Sequence, residues 1–173
     1  ELLDRVKNVE GILVQSALID KTLIEACPNL KVICNVGVGF DNIDANFCTK
    51  MGIQVTNTPG ILNDAVADMS MALLLAVARR VPEGDRIVRS GGFKSNFYHL
   101  LWGADLRGEN LGIIGMGSIG QDVAKRAIPF GLNIKYHNRN RLSKNIESSL
   151  NGEWMSLEGL LKSCRYIVIL CPL

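Results

Sequence analysis

Short apolar runs alternate with amphipathic stretches along the first half of the chain. Runs rich in Val, Ile and Leu predict strands at residues 11–15, 31–35 and 53–55. The segments between them, residues 20–27 and 43–50, have apolar side chains at helical spacing, and Asp20 is placed to cap the first. Strands that alternate with helices at such short intervals favour a parallel sheet that is covered by helices on both faces.

The same alternation resumes after a long apolar helix, which we predict over residues 64–80. Pro82-Glu83-Gly84 is expected to end that helix, and a second helix is predicted over residues 85–90. Further strands are predicted at residues 111–115, 132–136, 153–155 and 166–170, and further helices at residues 119–130 and 157–163. The second half is therefore expected to form a doubly wound parallel sheet of the α/β class.

The turn at residues 57–60, with the sequence NTPG, separates the two series of strands. It predicts two domains, residues 1–57 and residues 58–173, with the long helix in the second. The chain begins at Glu1 rather than Met and ends directly after an apolar run. We therefore expect both domains to be incomplete and the chain to be part of a larger protein.

Composition and charge argue against several kinds of partner. Hydrophobic residues make up 47% of the chain and charged residues 21%, which is typical of a globular protein. The formal net charge of +2 favours neither nucleic acid nor a membrane surface, and no apolar run reaches the ~18 residues of a membrane span. The five cysteines are odd in number and lack CxxC spacing, so we expect reduced thiols and a cytoplasmic protein. No metal site is expected, because neither His99 nor His137 lies near a cysteine cluster.

A glycine-rich segment carries the first chemical signal. Residues 115–120, GMGSIG, match the pattern GxGxxG directly after a predicted strand and at the start of a predicted helix. Gly115 would allow a tight turn, Gly117 would let a diphosphate approach bare backbone, and Gly120 would let the helix pack closely on the strand. The helix N-terminus would supply N–H groups and a positive dipole end to the phosphates. Cofactor contacts are expected from the whole loop: Gly115, Met116, Gly117, Ser118, Ile119 and Gly120. This context predicts a Rossmann-type dinucleotide site, and a glycine-rich turn without a ligand is the alternative.

The residue that closes the second strand of such a domain discriminates between NAD and NADP. An NAD site usually has Asp or Glu there, but this chain has Asn138, 18 residues after Gly120, followed by Arg139 and Asn140. A carboxylate would repel a 2′-phosphate by about 4 kcal/mol at about 4 Å and an effective dielectric near ~20. Arg139 could instead add a charge-assisted hydrogen bond of about 1.5–3 kcal/mol. We predict a preference for NADPH over NADH, with NAD possible. Asn138, Arg139 and Asn140 would contact the cofactor. The alternative is that Arg139 and Arg141 belong to a solvated face of the loop.

Several longer motifs occur in one order along the chain. Residues 35–44 (NVGVGFDNID) look like the segment GxGxDNID of one known enzyme family, and residues 52–60 (GIQVTNTPG) are similar to that family's segment GIxVxNTPG. Residues 65–80 resemble an interdomain helix, and residues 103–120 resemble GxxLxGKTLGIIGxGxIG. Together they resemble the D-isomer-specific 2-hydroxyacid dehydrogenases, and within that family the glyoxylate and hydroxypyruvate reductases. The chain departs from the pattern at Glu109-Asn110, where Lys-Thr is usual, and at Arg165, where Asp is frequent.

The resemblance implies a flavodoxin-like substrate domain, a dinucleotide domain and hydride transfer between a nicotinamide and a small 2-keto acid. Backbone N–H groups of Val38 and Gly39 would hold the substrate carboxylate, and an ordinary turn at the end of a strand is the alternative. Asn63 and Val66 would lie near the nicotinamide, and Pro172 would pack near the adenosine.

The family's catalytic groups are expected outside this chain. An Arg that grips the substrate and a His paired with an acidic residue would lie beyond Leu173, and neither His99 nor His137 replaces that His. We therefore expect the 173-residue chain alone to be inactive. We also expect it to be poorly soluble, because residues 166–170 would form an apolar edge strand.

Two hypotheses from other functional classes stay open: a dinucleotide-sensing co-repressor scaffold of the same fold, and a non-catalytic NAD(P)-binding module. An aromatic cluster adds a question about assembly. Its members are Phe93, Phe97, Tyr98 and Trp102. The cluster would either pack within the chain's own domains or form the interface of a homodimer.

Overall fold

The computed structural model describes residues 5–93 and 101–171 of the 173-residue chain. The chain forms two compact units, residues 1–62 and residues 63–173. The division falls between Leu62 and Asn63, five residues after the boundary predicted from the NTPG turn. Each unit has its own sheet and its own hydrophobic core.

The first unit contains a three-stranded parallel sheet in the order β1-β2-β3. Its strands are β1 (Gly11–Val14), β2 (Val32–Asn35) and β3 (Gln54–Thr56), and its helices are α1 (Lys21–Glu25) and α2 (Ala45–Lys50). Each strand coincides with a predicted one to within one residue at either end. This sheet corresponds to part of the flavodoxin-like domain that the resemblance implied.

Aspartate caps set the beginnings of both helices in this unit. Asp20 accepts a hydrogen bond from the backbone N–H of Leu23 at 3.0 Å, as its position before α1 predicted. Asp44 accepts from Phe47 N at 2.9 Å, so α2 begins at Ala45 rather than at Ile43. Behind the caps, the sheet and helices bury a compact apolar core that includes Ile24, Ile33 and Cys48.

The second unit contains a four-stranded parallel sheet in the order β6-β5-β4-β7. Its strands are β4 (Asn110–Ile114), β5 (Asn133–His137), β6 (Gly152–Trp154) and β7 (Tyr166–Ile169). Counted from the first strand of this unit, the order is third, second, first, fourth, which is the order of a doubly wound dinucleotide domain. The Rossmann-type sheet predicted from the sequence is thereby confirmed.

The helices of the second unit are α3 (Asn63–Ala78), α4 (Val81–Arg89), α5 (Ser118–Ala127), α6 (Lys144–Leu150) and α7 (Leu157–Ser163). The predicted helix over residues 119–130 is α5 followed by a 3₁₀ turn at Ile128–Phe130. Helix α6 has no counterpart among the predicted elements. No helix in the described ranges is both long enough and apolar enough to cross a membrane.

The prediction that Pro82-Glu83-Gly84 ends the long helix and separates it from the next one was wrong. These residues form the first turn of α4, where a proline is tolerated because the N–H groups there have no helical acceptor. The break lies at Arg80, which has a left-handed backbone with φ of +55°. The Arg80 side chain then pairs with Glu83, with Nε 2.7 Å from Oε2.

Small residues let α3 and α5 pack closely over the sheet. Ala67 of α3 and Ala124 of α5 are fully buried. At the edge of this contact, Arg126 of α5 bridges two carboxylates of α3, with Nη2 2.7 Å from Asp64 Oδ1 and Nε 2.6 Å from Asp68 Oδ1. The first turn of α3 is therefore fixed beside the helix that follows the glycine-rich segment.

Candidate functional site

The chain turns sharply where β4 ends. Gly115 has φ of +98°, a left-handed conformation that favours glycine. A Cβ at Gly115 would lie 2.6 Å from the backbone nitrogen of Cys171, just beyond the neighbouring strand β7. A side chain at this position would strain the turn and force the two parallel strands apart.

Gly117 and Gly120 serve different purposes in the turn that leads into α5. A Cβ at Gly120 would lie 2.5 Å from the carbonyl oxygen of Gly115, so a larger residue would push α5 away from the end of β4. A Cβ at Gly117 would meet nothing within 4 Å. The space beside Gly117 is open and fits a ligand, such as a diphosphate, that must approach the bare backbone.

The N-terminus of α5 presents unpaired donors to this open space. Gly117 is the N-cap residue, and no side chain caps the helix. The first helical hydrogen bond runs from Gln121 N to Gly117 O at 2.9 Å, and the N–H groups of Ser118, Ile119 and Gly120 have no acceptor within the described part of the chain. Free N–H groups at the positive end of a helix dipole are well suited to bind a phosphate.

A cleft of about 590 Å³ opens in front of the turn. It lies at the carboxyl ends of β4 and β5, which is where ligands bind in doubly wound sheets. The structure brings five of the predicted cofactor residues to its walls: Gly115, Gly117, Asn138, Arg139 and Asn140. A single cleft therefore combines the glycine-rich turn after β4 with the loop after β5.

Asn138 fixes the end of β5 against the glycine-rich turn after β4. Its Oδ1 accepts a hydrogen bond from Met116 N at 2.7 Å, and Trp154 Nε1 donates to its backbone carbonyl at 3.2 Å. The Met116 side chain is buried in the core. Met116 therefore shapes the turn, with its N–H already bonded and its side chain turned away from the cleft.

The two arginines of the following loop have different surroundings. Arg139 is exposed and lines the cleft, and it forms no ion pair within the described residues. Arg141 is bound by Glu147 of α6 in a two-pronged pair, with Nε 2.7 Å from Oε1 and Nη2 2.8 Å from Oε2. Arg139 is thus the arginine of this loop whose guanidinium can meet a phosphate without losing a carboxylate partner.

A buried hydroxyl completes the Arg141 network. Tyr136 of β5 is fully buried, donates to Glu147 Oε1 at 2.6 Å and accepts from Leu142 N at 3.0 Å. The Arg141 guanidinium, and after it the Tyr136 hydroxyl, hold the pKa of Glu147 at about 2, below its ordinary 4.5. Burial and the hydrogen bond with Glu147 raise the pKa of Tyr136. The network holds the far end of the segment that follows Asn138, at Arg141 and Leu142.

The other predicted residues lie in several places. His137 ends β5 and lines the cleft, and its Nδ1 lies 2.9 Å from Met155 O. Asn63 and Val66 lie in the first turn of α3, where both are partly buried, and neither is among the residues that line this cleft. Pro172, predicted near the adenosine, lies outside the described residues.

The predicted carboxylate site lies in the first unit, in the turn after β2. Val38 and Gly39 are exposed, and their N–H groups have no acceptor within the described ranges. Adjacent free N–H groups in a turn can bind an anion. This turn therefore offers two free N–H groups to an anion.

Metal and disulfide chemistry receive no support from the described residues. No group of three or more His, Cys, Asp or Glu side chains in these ranges is placed to hold a metal ion. All five cysteines are free thiols. Burial raises the pKa of the Cys27, Cys48 and Cys164 thiols, which disfavours their reactive thiolate form.

The sequence analysis missed the polar side chains that support the turn after β2 and the loop after β5. These are Asn35 and Asn57 in the first unit and Tyr136 and Glu147 in the second. Tyr136 gave one usable signal, because a tyrosine on an inner strand needs a partner for its hydroxyl. Its partner lies on α6, a helix that the apolar pattern did not predict.

Comparison with known proteins gives the context of both sites. The family model for the catalytic domain of D-isomer specific 2-hydroxyacid dehydrogenases matches residues 1–165. A glyoxylate reductase from Pyrococcus horikoshii is 46% identical over 177 residues, which cover 99% of this chain and 53% of that protein. The chain thus spans about half the length of the curated relatives that it matches.

Solved structures of the same fold hold either nicotinamide cofactor. D-lactate dehydrogenase from Aquifex aeolicus, complexed with NAD and lactic acid, is 28% identical with a TM-score of 0.89 and covers 99% of this chain and 50% of its own. An acyclic imino acid reductase in complex with NADPH and D-Arg is also 28% identical, with a TM-score of 0.86, and covers 99% of this chain and 53% of its own.

Proposed function

Because the chain belongs to the D-isomer specific 2-hydroxyacid dehydrogenase family, we propose that the complete protein transfers a hydride from NADPH to a small 2-keto acid such as glyoxylate or hydroxypyruvate. The observation that carries the proposal is the open, uncapped N-terminus of α5, which faces a cleft shared with Arg139. Glyoxylate is favoured among substrates because the relatives at 41–46% identity are named glyoxylate reductases.

The cofactor's diphosphate would lie beside Gly117, against the N–H groups of Ser118 and Ile119. Those donors have no acceptor within the described residues, and a Cβ at Gly117 would point into open space. When bound, the nicotinamide supplies the hydride. The chain's own residues position the diphosphate and the adenosine end of the cofactor.

The loop after β5 supports a preference for NADPH. Asn138 is neutral, so the repulsion of about 4 kcal/mol that a carboxylate would exert on a 2′-phosphate at ~4 Å is absent. Arg139 is exposed at the same cleft and would donate a charge-assisted hydrogen bond of about 1.5–3 kcal/mol. Arg141 does not compete for this task, because Glu147 already binds its guanidinium.

The substrate carboxylate would bind the N–H groups of Val38 and Gly39. The substrate-gripping Arg and the proton-donating His with its acidic partner would follow Leu173, as the resemblance implies. Exposed Phe93 and Trp102 support a homodimer, while Phe97 and Tyr98 lie outside the described residues. Free thiols at all five cysteines support a cytoplasmic location.

Cofactor choice can be tested in the complete protein with Asn138→Asp and Arg139→Leu. The aspartate keeps the Oδ1 acceptor for Met116 N but loses the Nδ2 donor that lies 3.4 Å from Met116 O, whereas Arg139→Leu leaves both contacts of Asn138 in place. We expect the ratio of kcat/KM for NADPH to that for NADH to fall about 10- to 100-fold in each variant. Arg165→Leu removes an arginine that pairs with Glu109, away from the cleft, and serves as the control.

Two results would contradict the proposal in different ways. An unchanged cofactor ratio in both variants would remove the roles of Asn138 and Arg139. NADPH binding without reduction of any 2-keto acid by the complete protein would favour a dinucleotide sensor or binding module over a reductase.

A further inference from the structure

We propose that Asn35, Asn57 and the backbone N–H of Thr58 form a carbonyl clamp that orients the N–H groups of residues 38–40 for the substrate carboxylate. Asn35 and Asn57 are then positioning residues, which act on the substrate through the turn rather than by contact. The inference rests on the proposed function, since it explains how the proposed carboxylate site is held in shape.

Three consecutive carbonyl groups of this turn are each held by a donor from the protein. Gly37 O accepts from Thr58 N at 3.0 Å. Val38 O accepts from Asn57 Nδ2 at 2.8 Å, and Gly39 O accepts from Asn35 Nδ2 at 2.6 Å. The donors come from the residues at the carboxyl ends of β2 and β3. The clamp therefore ties the turn to two adjacent strands.

Holding the carbonyls fixes the direction of the N–H groups. In a trans peptide the carbonyl of one residue and the N–H of the next point in opposite directions, and the described chain contains no cis peptide. The N–H groups of Val38, Gly39 and Phe40 must therefore point away from the clamp. None of the three has an acceptor within the described part of the chain. The clamp thus adds Phe40 N–H to the donors available to a carboxylate.

The state of Asn35 indicates a role beyond packing. Its side chain is 3% exposed, and its Oδ1 is buried without a hydrogen-bond partner in the described ranges. The amide cannot be turned over, because Oδ1 would then face the Gly39 carbonyl at the short distance that Nδ2 now occupies. An apolar residue would avoid the unpaired oxygen, but it would release the Gly39 carbonyl.

Local charge makes the orientation of these N–H groups important. The Asp41 carboxylate lies close to the turn, since a Cβ at Gly39 would be 3.4 Å from Asp41 Oδ2. No lysine or arginine occurs between Lys31 and Lys50. Within this segment, only oriented backbone dipoles are available to an anion, and loosening the clamp should weaken its binding.

The test uses the complete protein with Asn35→Leu and Asn57→Leu, which remove one donor each at similar volume. Asn133→Leu is the matched control, because Asn133 Nδ2 also donates to a backbone carbonyl, that of Gly108 at 3.0 Å, in the other unit. Oxamate, which carries a carboxylate beside a carbonyl, serves as the probe. Its dissociation constant is measured by calorimetry, and its contacts by the amide resonances of residues 38–40 in ¹⁵N-labelled protein.

We expect oxamate to shift the three amide resonances in the unsubstituted protein. Each clamp variant should raise the oxamate dissociation constant and the KM for glyoxylate about tenfold, with the dissociation constant for NADPH unchanged. Asn133→Leu should change none of these values. If Asn35→Leu fails to fold, Asn57→Leu still decides, because Asn57 is only partly buried.

Failure of the clamp and failure of the proposed function give different results. Unchanged oxamate affinity in Asn57→Leu, or no shift at residues 38–40 in the unsubstituted protein, would overturn the clamp even if glyoxylate is reduced. Shifts at these amides that are lost in the variants, in a protein that reduces no 2-keto acid, would uphold the clamp and refute the reductase.

Discussion

Glu147 shows how one buried carboxylate organises the loop beside the cleft at the ends of β4 and β5. It is 9% exposed and receives hydrogen bonds from Arg141 and Tyr136. Because these partners bind the ionised form, they hold its pKa at about 2 in the folded protein. The loop that contains Arg139 is therefore anchored by an ion pair between this carboxylate and the largely exposed Arg141.

The Glu147 network makes a prediction about acid stability. A carboxyl group with a lowered folded-state pKa contributes stability above its unfolded pKa, near 4.5, and loses that contribution as the pH falls towards about 2. We expect Glu147→Gln to be less stable than the unsubstituted protein at pH 7, and the difference to shrink across this window. Urea unfolding of both proteins between pH 7 and about pH 2.5 measures it.

The matched control for the acid prediction is Glu158→Gln, because Glu158 forms an exposed pair with Lys162 on α7. A stability difference for Glu147→Gln that is equally large at both ends of the pH range would contradict the assigned pKa. The same result for Glu158→Gln as for Glu147→Gln would show that burial and the Tyr136 bond are irrelevant.

Residues that act on their neighbours in sequence could be predicted from the sequence. Residues that meet only after the chain has folded could not. The tight turn at Gly115 and the close packing at Gly120 follow from six contiguous positions between a strand and a helix, and the diphosphate contact of Gly117 stays a prediction. Asn35 and Asn57 are 22 positions apart and meet only because β2 and β3 are parallel neighbours. Nothing in either local sequence indicates that both amides bind the same turn.

At the scale of elements, two glycines at the start of α5 differ in what their missing side chains allow. Gly120 lets the helix pack closely on the end of β4, and Gly117 leaves the space beside it open. Gly120→Ala would place a Cβ 2.5 Å from the Gly115 carbonyl, so α5 must shift, at a cost of about 1–3 kcal/mol in unfolding free energy. Gly117→Ala adds a methyl group in open space at φ of −79°, which alanine adopts freely. We expect the second variant to keep its stability to within about 1 kcal/mol and to lose NADPH affinity at least about tenfold.

The two glycine variants control for each other. Thermal unfolding in the absence of cofactor reports on packing, and NADPH titration by fluorescence reports on the open space beside Gly117. Full NADPH affinity in Gly117→Ala would mean that the diphosphate does not approach this backbone. An unfolding temperature of Gly120→Ala equal to that of the unsubstituted protein would mean that α5 tolerates a side chain at this contact.

The elements that the sequence did not predict have identifiable physical causes. Helix α6 offers only Ile146 and Leu150 as apolar positions, too few to establish a helical period. Pro82 looked like a terminator, but proline suits the first turn of a helix as well as the residues after one. The left-handed backbone of Arg80 ends α3, and the sequence carries no glycine or asparagine there to signal it.

At the scale of the whole molecule, the sheet of the second unit has an apolar edge. Strand β7 pairs with β4 on one side and is the last strand of the described sheet. Ile169 is 67% exposed, and a groove of about 430 Å³ runs between β7 and the exposed apolar side chains Leu73 and Val77 of α3. A strand edge of this kind can pair with another chain.

We therefore predict that residues 1–173, expressed alone, self-associate through β7, and that Ile169→Lys reduces this. A lysine on an edge strand opposes pairing because it carries a charge into the new contact. Light scattering during incubation should show slower growth for Ile169→Lys than for the unsubstituted chain. Leu161→Lys makes the same chemical change at a 53% exposed position on α7, so it separates the effect of the edge from that of added charge. Equal suppression by both lysines would assign the aggregation to general surface hydrophobicity, and no suppression by Ile169→Lys would show that β7 is not the associating edge.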